Sequence, residues 1–256
     1  MTAPRADETW LRTELVASWG EMGLVLLFTV GYAAYESAWS AFHGSSSYYP
    51  NFFRSDFWMF ANMVWQIATL TLLLGFLCWR GWTTADFKIK ANGWSSLQGI
   101  FLWLASKVGA SLGLLSMMVL MALMFKGFLD SHGFFGWAHL KLHGNPSWIV
   151  VIGSSIVNAY WEELTCMGYA FNQFAARRGP LFALLLTVVL RMSYHTYQGF
   201  IHMSAAGLGF LITGVYYWRT RNLWPLILAH ILFNSVPLDL LHDVFYILRV
   251  CLGFFR

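Results

Sequence analysis

Long apolar runs separated by short polar segments make up most of the chain. A helix that crosses a membrane needs about 20 predominantly apolar residues, and eight stretches approach that length. They span residues 22–42, 57–79, 99–125, 147–171, 181–199, 201–218, 222–237 and 238–255. Within them, apolar residues follow one another without the polar alternation of a half-buried strand. The pattern therefore predicts an all-α fold: a polytopic membrane helix bundle with about eight transmembrane helices.

The polar N-terminal segment, residues 1–21, differs from the rest of the chain. It is mixed in charge and contains no apolar region of the kind found in signal peptides. Within it, the pattern of residues 7–20 is compatible with an amphipathic helix that lies on the membrane surface. We expect residues 1–21 to be a cytoplasmic or interfacial segment, and residues 1–256 to form a single transmembrane domain.

The composition agrees with a membrane helix bundle and excludes some classes of partner. The chain is 58% hydrophobic and 11% charged, whereas soluble domains carry about 25% charged residues. This predicts an integral membrane protein that is surrounded by lipids. With eight spans and a cytoplasmic N-terminus, most lysines and arginines fall on the cytoplasmic side. The net charge of +4 then reflects topology and indicates no nucleic-acid partner. We expect the cytoplasmic membrane of a bacterium, and the sequence leaves the oligomeric state open.

Polar side chains concentrate in three of the predicted spans at similar depth. One span carries two adjacent carboxylates near its middle, and the two others each carry a pair of residues four apart, hence on one helix face. In chain order these are Glu162 and Glu163, Arg191 and His195, and His230 and Asn234. Charged groups in hydrocarbon cost several kcal/mol unless they face a cavity or a partner. A single histidine or asparagine could simply join two helices, but three converging sets predict a functional site inside the bundle.

These residue types suit the hydrolysis of an amide bond. A carboxylate in a pocket can act as a general base, a nearby histidine can share the proton or hold the water, and a histidine with an amide can stabilise an oxyanion. Adjacent residues of a helix point about 100° apart. We therefore expect one of the two glutamates to face the cavity and the other to contact a neighbouring helix.

Other peptidase signatures are missing from the sequence. It contains no H-E-x-x-H zinc motif, no G-x-S-x-G serine motif and no G-x-G-D motif. The best rival site is a possible metal pair, His139 and His143, with His132 and Asp130 nearby in a polar loop. The motif Y-H-T-Y-Q-G at 194–199 is interpreted as an interfacial aromatic belt at Tyr194, and the role of Gln198 is left open.

Three short motifs on successive helices resemble those of the CPBP family, also called the CAAX protease, bacteriocin-processing or Abi family. The family pattern is E-E-x-x-x-R, then F-x-x-x-H, then H-x-x-x-N/D. This chain reads EELTCMG, RMSYH and HILFN in the same order. The resemblance covers roughly residues 147–237, which we expect to be the catalytic core.

The resemblance implies an intramembrane endopeptidase that needs no metal. Glu162 would activate the attacking water with the help of His195, while His230 and Asn234 would form the oxyanion site. Glu163 would be a supporting carboxylate. The implied substrate is a membrane-associated peptide or protein. Eukaryotic proteins of this kind cleave prenylated C-terminal tails.

Two positions depart from the family pattern. The family arginine falls at Met167, and the family phenylalanine falls at Arg191. A buried carboxylate without a cation is costly. We therefore hypothesise that Arg191 replaces the missing charge partner of Glu163 or of Glu162.

Three alternatives stay open from the sequence. A zinc ion held by Glu162, His195 and His230 could supply the water, since these residue types ligate zinc. The chain could also be a catalytically inactive relative that acts as a membrane binding or immunity protein. A proton-coupled transporter is less favoured, because the sequence shows no internal repeat.

Overall fold

The computed structural model describes residues 11–43, 56–124 and 147–236. Within these ranges the regular secondary structure is helical and includes no strand, which confirms the all-α prediction for this part of the chain. The predicted span at 238–255 and the rival histidines at 132, 139 and 143 lie outside the described residues.

The described residues 11–43 and 56–124 form four α-helices. Helix α1 begins after Ser18, whose hydroxyl accepts a hydrogen bond from the Glu21 N–H at 3.1 Å, an ordinary N-cap. A π-helical segment joins α1 to α2, so the helix continues without a break. The bounds are α1 Trp19–Leu26, the π-helical segment Leu27–Gly31, α2 Tyr32–His43, α3 Asp56–Trp79 and α4 Gly93–Met124.

Residues 147–236, the described part of the second half, form five α-helices and a second, longer π-helical segment. Gly179, at φ +85°, ends one helix, and Pro180 begins the next, where its missing N–H costs nothing. The bounds are α5 Trp148–Glu162, the π-helical segment Glu163–Phe171, α6 Asn172–Arg178, α7 Pro180–Ser193, α8 Phe200–Thr220 and α9 Trp224–Ser235. Short 3-10 turns occur at Thr13–Leu15, Thr84–Phe87 and Thr196–Gln198.

Helix α5 and its π-helical continuation lie at the centre of the packing. Helices α3 and α9 pack against α5, and α7 packs against the π-helical segment. The remaining contacts close a ring, because α9 packs on α4, α4 on α8, and α8 on α7. This ring surrounds the polar side chains that the sequence singled out.

Two helices are long and apolar enough, by length and composition, to cross a membrane within the described residues: Asp56–Trp79 and Gly93–Met117. The prediction of about eight spans is therefore not confirmed. Helices α7 and α9 are apolar but have only 14 and 12 residues, short of the 20 or so that a span needs. The predicted span 181–199 ends early because Ser193 closes the α-helix and a 3-10 turn follows.

The distribution of apolar and charged side chains is the reverse of that in a soluble protein. Large apolar side chains point outward, for example Leu24, Phe101 and Leu185, which are 69%, 61% and 56% exposed. Charged side chains at the centre are buried instead: Glu163 is 1% exposed and Arg191 3%. Lipid around the helices explains this arrangement, since an apolar exterior of this extent is unfavourable in water.

The N-terminal segment corrects one expectation from the sequence. Residues 11–18 form no amphipathic surface helix; they contain a single 3-10 turn, and Leu15 is buried in the main apolar core. The side chain of Gln173, itself fully buried, holds this segment by accepting from the Ala17 N–H and donating to the Leu15 carbonyl, both at 2.9 Å. Because these backbone groups find partners on α6, the segment does not need helical hydrogen bonds.

Candidate active site

A cavity of about 410 Å³ lies inside the ring of helices. All six residues that the sequence predicted for the site line it, although they come from four different stretches of helix and one turn. They are Glu162, Glu163, Arg191, His195, His230 and Asn234. The sequence predicted only that these side chains lie at similar depth. The structure shows that they line one cavity.

Glu162, the last residue of α5, accepts hydrogen bonds at both carboxylate oxygens. Asn158 Nδ2 donates to its Oε1 at 3.0 Å, and the Tyr194 hydroxyl donates to its Oε2 at 2.8 Å. Arg191 Nη2 lies 3.4 Å from the same Oε2. The carboxylate is thus fixed in position by donors from two helices, as a catalytic base must be.

Glu163 forms the stronger ion pair with Arg191. The Arg191 guanidinium donates to both carboxylate oxygens, from Nη2 to Oε1 at 2.6 Å and from Nη1 to Oε2 at 3.2 Å. Such a bidentate arrangement is the most favourable geometry for an arginine and a carboxylate. The guanidinium also lies 4.3 Å from the centre of the Phe210 ring. Arg191 therefore stands where the sequence analysis hypothesised a cation, in contact with both glutamates.

Glu163 contacts a neighbouring helix through Arg191, as expected, but the expectation that only one of the two glutamates faces the cavity was wrong. Both line the same cavity, and Arg191 and His230 each approach both carboxylates. The helix changes from α to π geometry between residues 162 and 163, which alters the direction of the second side chain. Glutamate is also long enough for its carboxylate to turn back towards its neighbour.

His230, on α9, is placed between the two glutamates. Its Nδ1 lies 2.9 Å from Glu163 Oε1, and its Nε2 lies 3.3 Å from Asn158 Nδ2 and 3.8 Å from Glu162 Oε1. Its side chain is 11% exposed. Both ring nitrogens therefore face polar groups of the site.

His195 follows α7 and enters the cavity from a different side. Its Nδ1 lies 3.2 Å from Gln198 Nε2, and Gln198 also donates to the Tyr197 hydroxyl at 3.0 Å. The other nitrogen, Nε2, is buried without a hydrogen-bond partner among the described residues. Gln198, whose role the sequence left open, thus orients the His195 ring and leaves Nε2 for another group.

Asn234 lies one helical turn beyond His230 on α9. It lines the cavity, but its side chain is exposed, unlike the buried cluster around Glu162. The structure therefore places it at the cavity wall and away from the ion-paired centre.

Sequence reasoning missed two amides and misread one tyrosine. Asn158 precedes Glu162 by one turn and contacts it, and Gln66 on α3 donates to Asn158 Oδ1 at 2.6 Å. Tyr194, interpreted as interfacial, is 4% exposed and donates to Glu162. A search of the spans for uncharged amides at i−4 from each ionisable residue finds Asn158, since that spacing shares a helix face. No comparable signal distinguishes Tyr194 from an interfacial aromatic.

The donor set fits a metal ion poorly. No group of three His, Cys, Asp or Glu side chains within residues 11–43, 56–124 and 147–236 has the geometry to hold one. The guanidinium of Arg191, 3.4 Å from Glu162 Oε2, already supplies a positive charge where zinc would bind. Both nitrogens of His230 are also engaged by Glu163 and Asn158.

Comparison with known protein families gives a match within this part of the chain. Residues 143–236 match the family model described as the Rce1-like type II CAAX prenyl endopeptidase. In this range the chain is therefore similar to the CAAX protease family. The matched range contains all six predicted site residues. Proteins with this domain are embedded in membranes, as the apolar exterior of the chain requires. No curated protein and no solved structure matched the chain.

Proposed function

We propose that the protein is an intramembrane endopeptidase that hydrolyses a peptide bond with a water molecule activated by Glu162. The observation that carries the proposal is the shared cavity: a fixed carboxylate, two histidines and an asparagine from three elements line one space. The match of residues 143–236 to a peptidase domain supports the same conclusion.

In the proposed reaction Glu162 accepts a proton from water, and His195 holds the water through its free Nε2. The resulting hydroxide attacks the carbonyl carbon of the scissile bond. His230 and Asn234 stabilise the negative charge that develops on the carbonyl oxygen. When the carbon–nitrogen bond breaks, the proton from water passes to the leaving nitrogen, so that one water is consumed for each bond broken.

Glu163 and Arg191 act as supporting residues in this proposal. Their bidentate pair, 1% and 3% exposed, holds the end of α5 against α7, and Glu163 fixes His230 through Nδ1. Neither side chain needs to touch the substrate. Their role is to keep the base and the histidine in register, because misplacement by about 1 Å can cost 100-fold in rate.

The substrate we propose is a peptide or protein that lies in the membrane. Apolar side chains, including Met59, Ala110, Leu226 and Phe233, line the cavity beside the polar cluster and suit apolar residues next to the scissile bond. The family description makes a prenylated C-terminal tail the first probe to use. We further propose a bacterial cytoplasmic membrane with the N-terminus in the cytoplasm.

A cleavage assay tests the proposal. The purified protein in detergent or vesicles is given a fluorescence-quenched peptide that ends in a farnesylated cysteine and three further residues, and products are identified by mass spectrometry. Glu162→Ala, His195→Ala and His230→Ala should each abolish cleavage without loss of the folded protein. Asn234→Ala should lower kcat by about 100-fold, as expected for an oxyanion donor.

His202→Ala is the matched control, because His202 lies on α8 and does not line the cavity. It should cleave at the wild-type rate. A metal chelator should also leave the rate unchanged. Cleavage that survives in Glu162→Ala contradicts the mechanism, and peptide binding without cleavage by the wild-type protein favours an inactive binding protein instead.

A further inference from the structure

The side chain of Asn158 lies between the proposed base and His230. Its Nδ2 is 3.0 Å from Glu162 Oε1 and 3.3 Å from His230 Nε2. An amide nitrogen carries two hydrogens, and the two distances give each hydrogen a separate acceptor. Asn158 thus bridges two groups that lie 3.8 Å apart, too far for a direct hydrogen bond.

Two contacts determine which way the Asn158 amide points. Gln66 Nε2 donates to Asn158 Oδ1 at 2.6 Å, and Gln66 itself is 4% exposed. If the amide were reversed, its oxygen would face Glu162 Oε1 at 3.0 Å, and two acceptors at that distance repel each other. The orientation with Nδ2 towards Glu162 is therefore the one that satisfies both neighbours.

This orientation has a consequence for the protons on His230. An Nδ2 that donates to His230 Nε2 needs a lone pair there. The remaining ring proton must then lie on Nδ1, where Glu163 Oε1 accepts it at 2.9 Å. The other charged or titratable groups around the ring are Glu162, Arg191 and His195, and none of them donates to Nε2.

We propose that Asn158, held by Gln66, is a positioning residue that keeps Nε2 of His230 unprotonated and separate from Glu162 in the resting site. The expected effect of Asn158 on the reaction rate rests on the proposed function, whereas the protonation of His230 can be measured without any substrate. It refines the role of His230: Nε2 becomes a donor to the oxyanion only after it has taken up a proton.

The proton can come from the reaction itself. Glu162 removes it from the attacking water. Once Asn158 Nδ2 has withdrawn from Nε2 and the 3.8 Å gap has closed, Glu162 passes the proton to His230 Nε2, which then donates to the developing oxyanion and finally gives the proton to the leaving nitrogen. The hydroxyl of the water ends on the carbonyl carbon, so atoms and charge balance. An Nε2 that already carried a proton could not accept this one.

Nitrogen NMR of histidine-labelled protein tests the proposal without any substrate. Wild-type His230, assigned by comparison with His230→Gln, should show a protonated Nδ1 and an unprotonated Nε2. Asn158→Asp keeps the volume of the side chain but replaces both donors by an acceptor, so Nε2 should become protonated. Asn172→Leu is the control, since it removes a buried amide that contacts Tyr217 and lies outside the cavity. Its His230 signals should match wild type.

Kinetics on an active preparation provides a second measurement. Asn158→Asp should lower kcat by about 100-fold with little change in KM, and Gln66→Leu should lower it less, because the amide loses its anchor but keeps its donors. A wild-type His230 with a proton on Nε2, or an Asn158→Asp variant with wild-type nitrogen signals, overturns the proposal. A rise in KM alone overturns it as well, because Asn158 would then bind substrate. If no peptide is cleaved in the assay, the proposed function fails, but the NMR measurement still tests the role of Asn158.

Discussion

Two arginine–glutamate ion pairs in this protein differ in how far they are exposed: one is buried and the other is partly exposed. In the interior, Arg191 pairs with Glu163 at 2.6 Å, and their side chains are 4% and 1% exposed. At the end of the bundle near the N-terminal segment, Arg80 pairs with Glu21 at 2.9 Å, with side chains 29% and 25% exposed. Both arginines make two hydrogen bonds to one carboxylate.

The two pairs differ in whether water can solvate one residue after its partner is removed. Water can solvate Arg80 or Glu21 if the other is lost, so a surface pair contributes little to stability. Nothing comparable reaches Glu163, and removal of its cation leaves a buried charge that costs several kcal/mol. The interior pair therefore determines whether the site can form, whereas the surface pair only adds to the attachment of α1.

The largest effect should come from Arg191→Met. The change leaves two buried carboxylates without a cation, and we expect a loss of about 3–5 kcal/mol in the free energy of unfolding, with little folded protein and no cleavage. Arg80→Met makes the same chemical change at the surface and should cost less than about 1 kcal/mol. Denaturation in detergent compares the two. Equal losses for both variants contradict the distinction drawn between the two pairs.

We next ask whether a cation at position 167 can replace the one at position 191. Met167, where family members carry arginine, is buried in the main apolar core on the π-helical segment. Adding Met167→Arg to Arg191→Met should restore part of the folded protein, because one cation again faces Glu163. Thermal stability of the double variant measures the rescue. An absence of rescue shows that only position 191 can hold the cation.

A smaller effect is expected from Tyr194→Phe. The variant loses one hydrogen bond to Glu162 Oε2 and leaves Arg191 at 3.4 Å as the remaining donor to that oxygen. A hydrogen bond to a charged group is worth about 1.5–3 kcal/mol, so kcat should fall by at least about 10-fold. Tyr216→Phe removes a half-buried hydroxyl bound to Gln98 and should leave the rate unchanged. If both variants behave alike, Tyr194 has no special role at Glu162.

The smallest effect concerns the surface and depends on pH. Burial raises the pKa of Asp86, but hydrogen bonds from the backbone and hydroxyl of Thr83 and from Arg12 outweigh it, so the pKa is held below its ordinary value. Its stabilisation is therefore complete above the unfolded pKa of about 4 and disappears as the pH falls through the lowered folded value. Asp86→Asn should cost about 1 kcal/mol at pH 6, and the cost should decrease as the pH falls below about 4. A cost that is independent of pH contradicts this account.

Much of the interior was predictable because its residues break the local pattern. Glu162, Glu163 and Arg191 are conspicuous in apolar helices, and the cost of burying charge requires that they meet partners. The sequence did not show which partners these side chains contact. Asn158 and Gln66 carry no charge and look like ordinary polar residues, and Tyr194 precedes a histidine and a glycine in a stretch that resembles an interfacial belt.

The errors in the fold have a similar origin. Apolar length alone predicted a span at 181–199, but Tyr194 adopts non-helical angles that end α7. Residues 7–20 looked amphipathic, yet the backbone at Leu15 and Ala17 is held by Gln173 from the other half of the chain. Contacts between residues more than 150 positions apart leave no trace in local periodicity.

The wide turns at Glu163–Phe171 make this helix unusually sensitive to changes in length. A deletion of one residue between 164 and 170 would change the direction in which every later residue leaves the helix, while the cavity end stayed in place. Asn172 would lose Tyr217, and Gln173 would release residues 15–17. Insertions and deletions here are therefore expected to be far more harmful than substitutions, even though residues 164–170 have no part in the proposed chemistry.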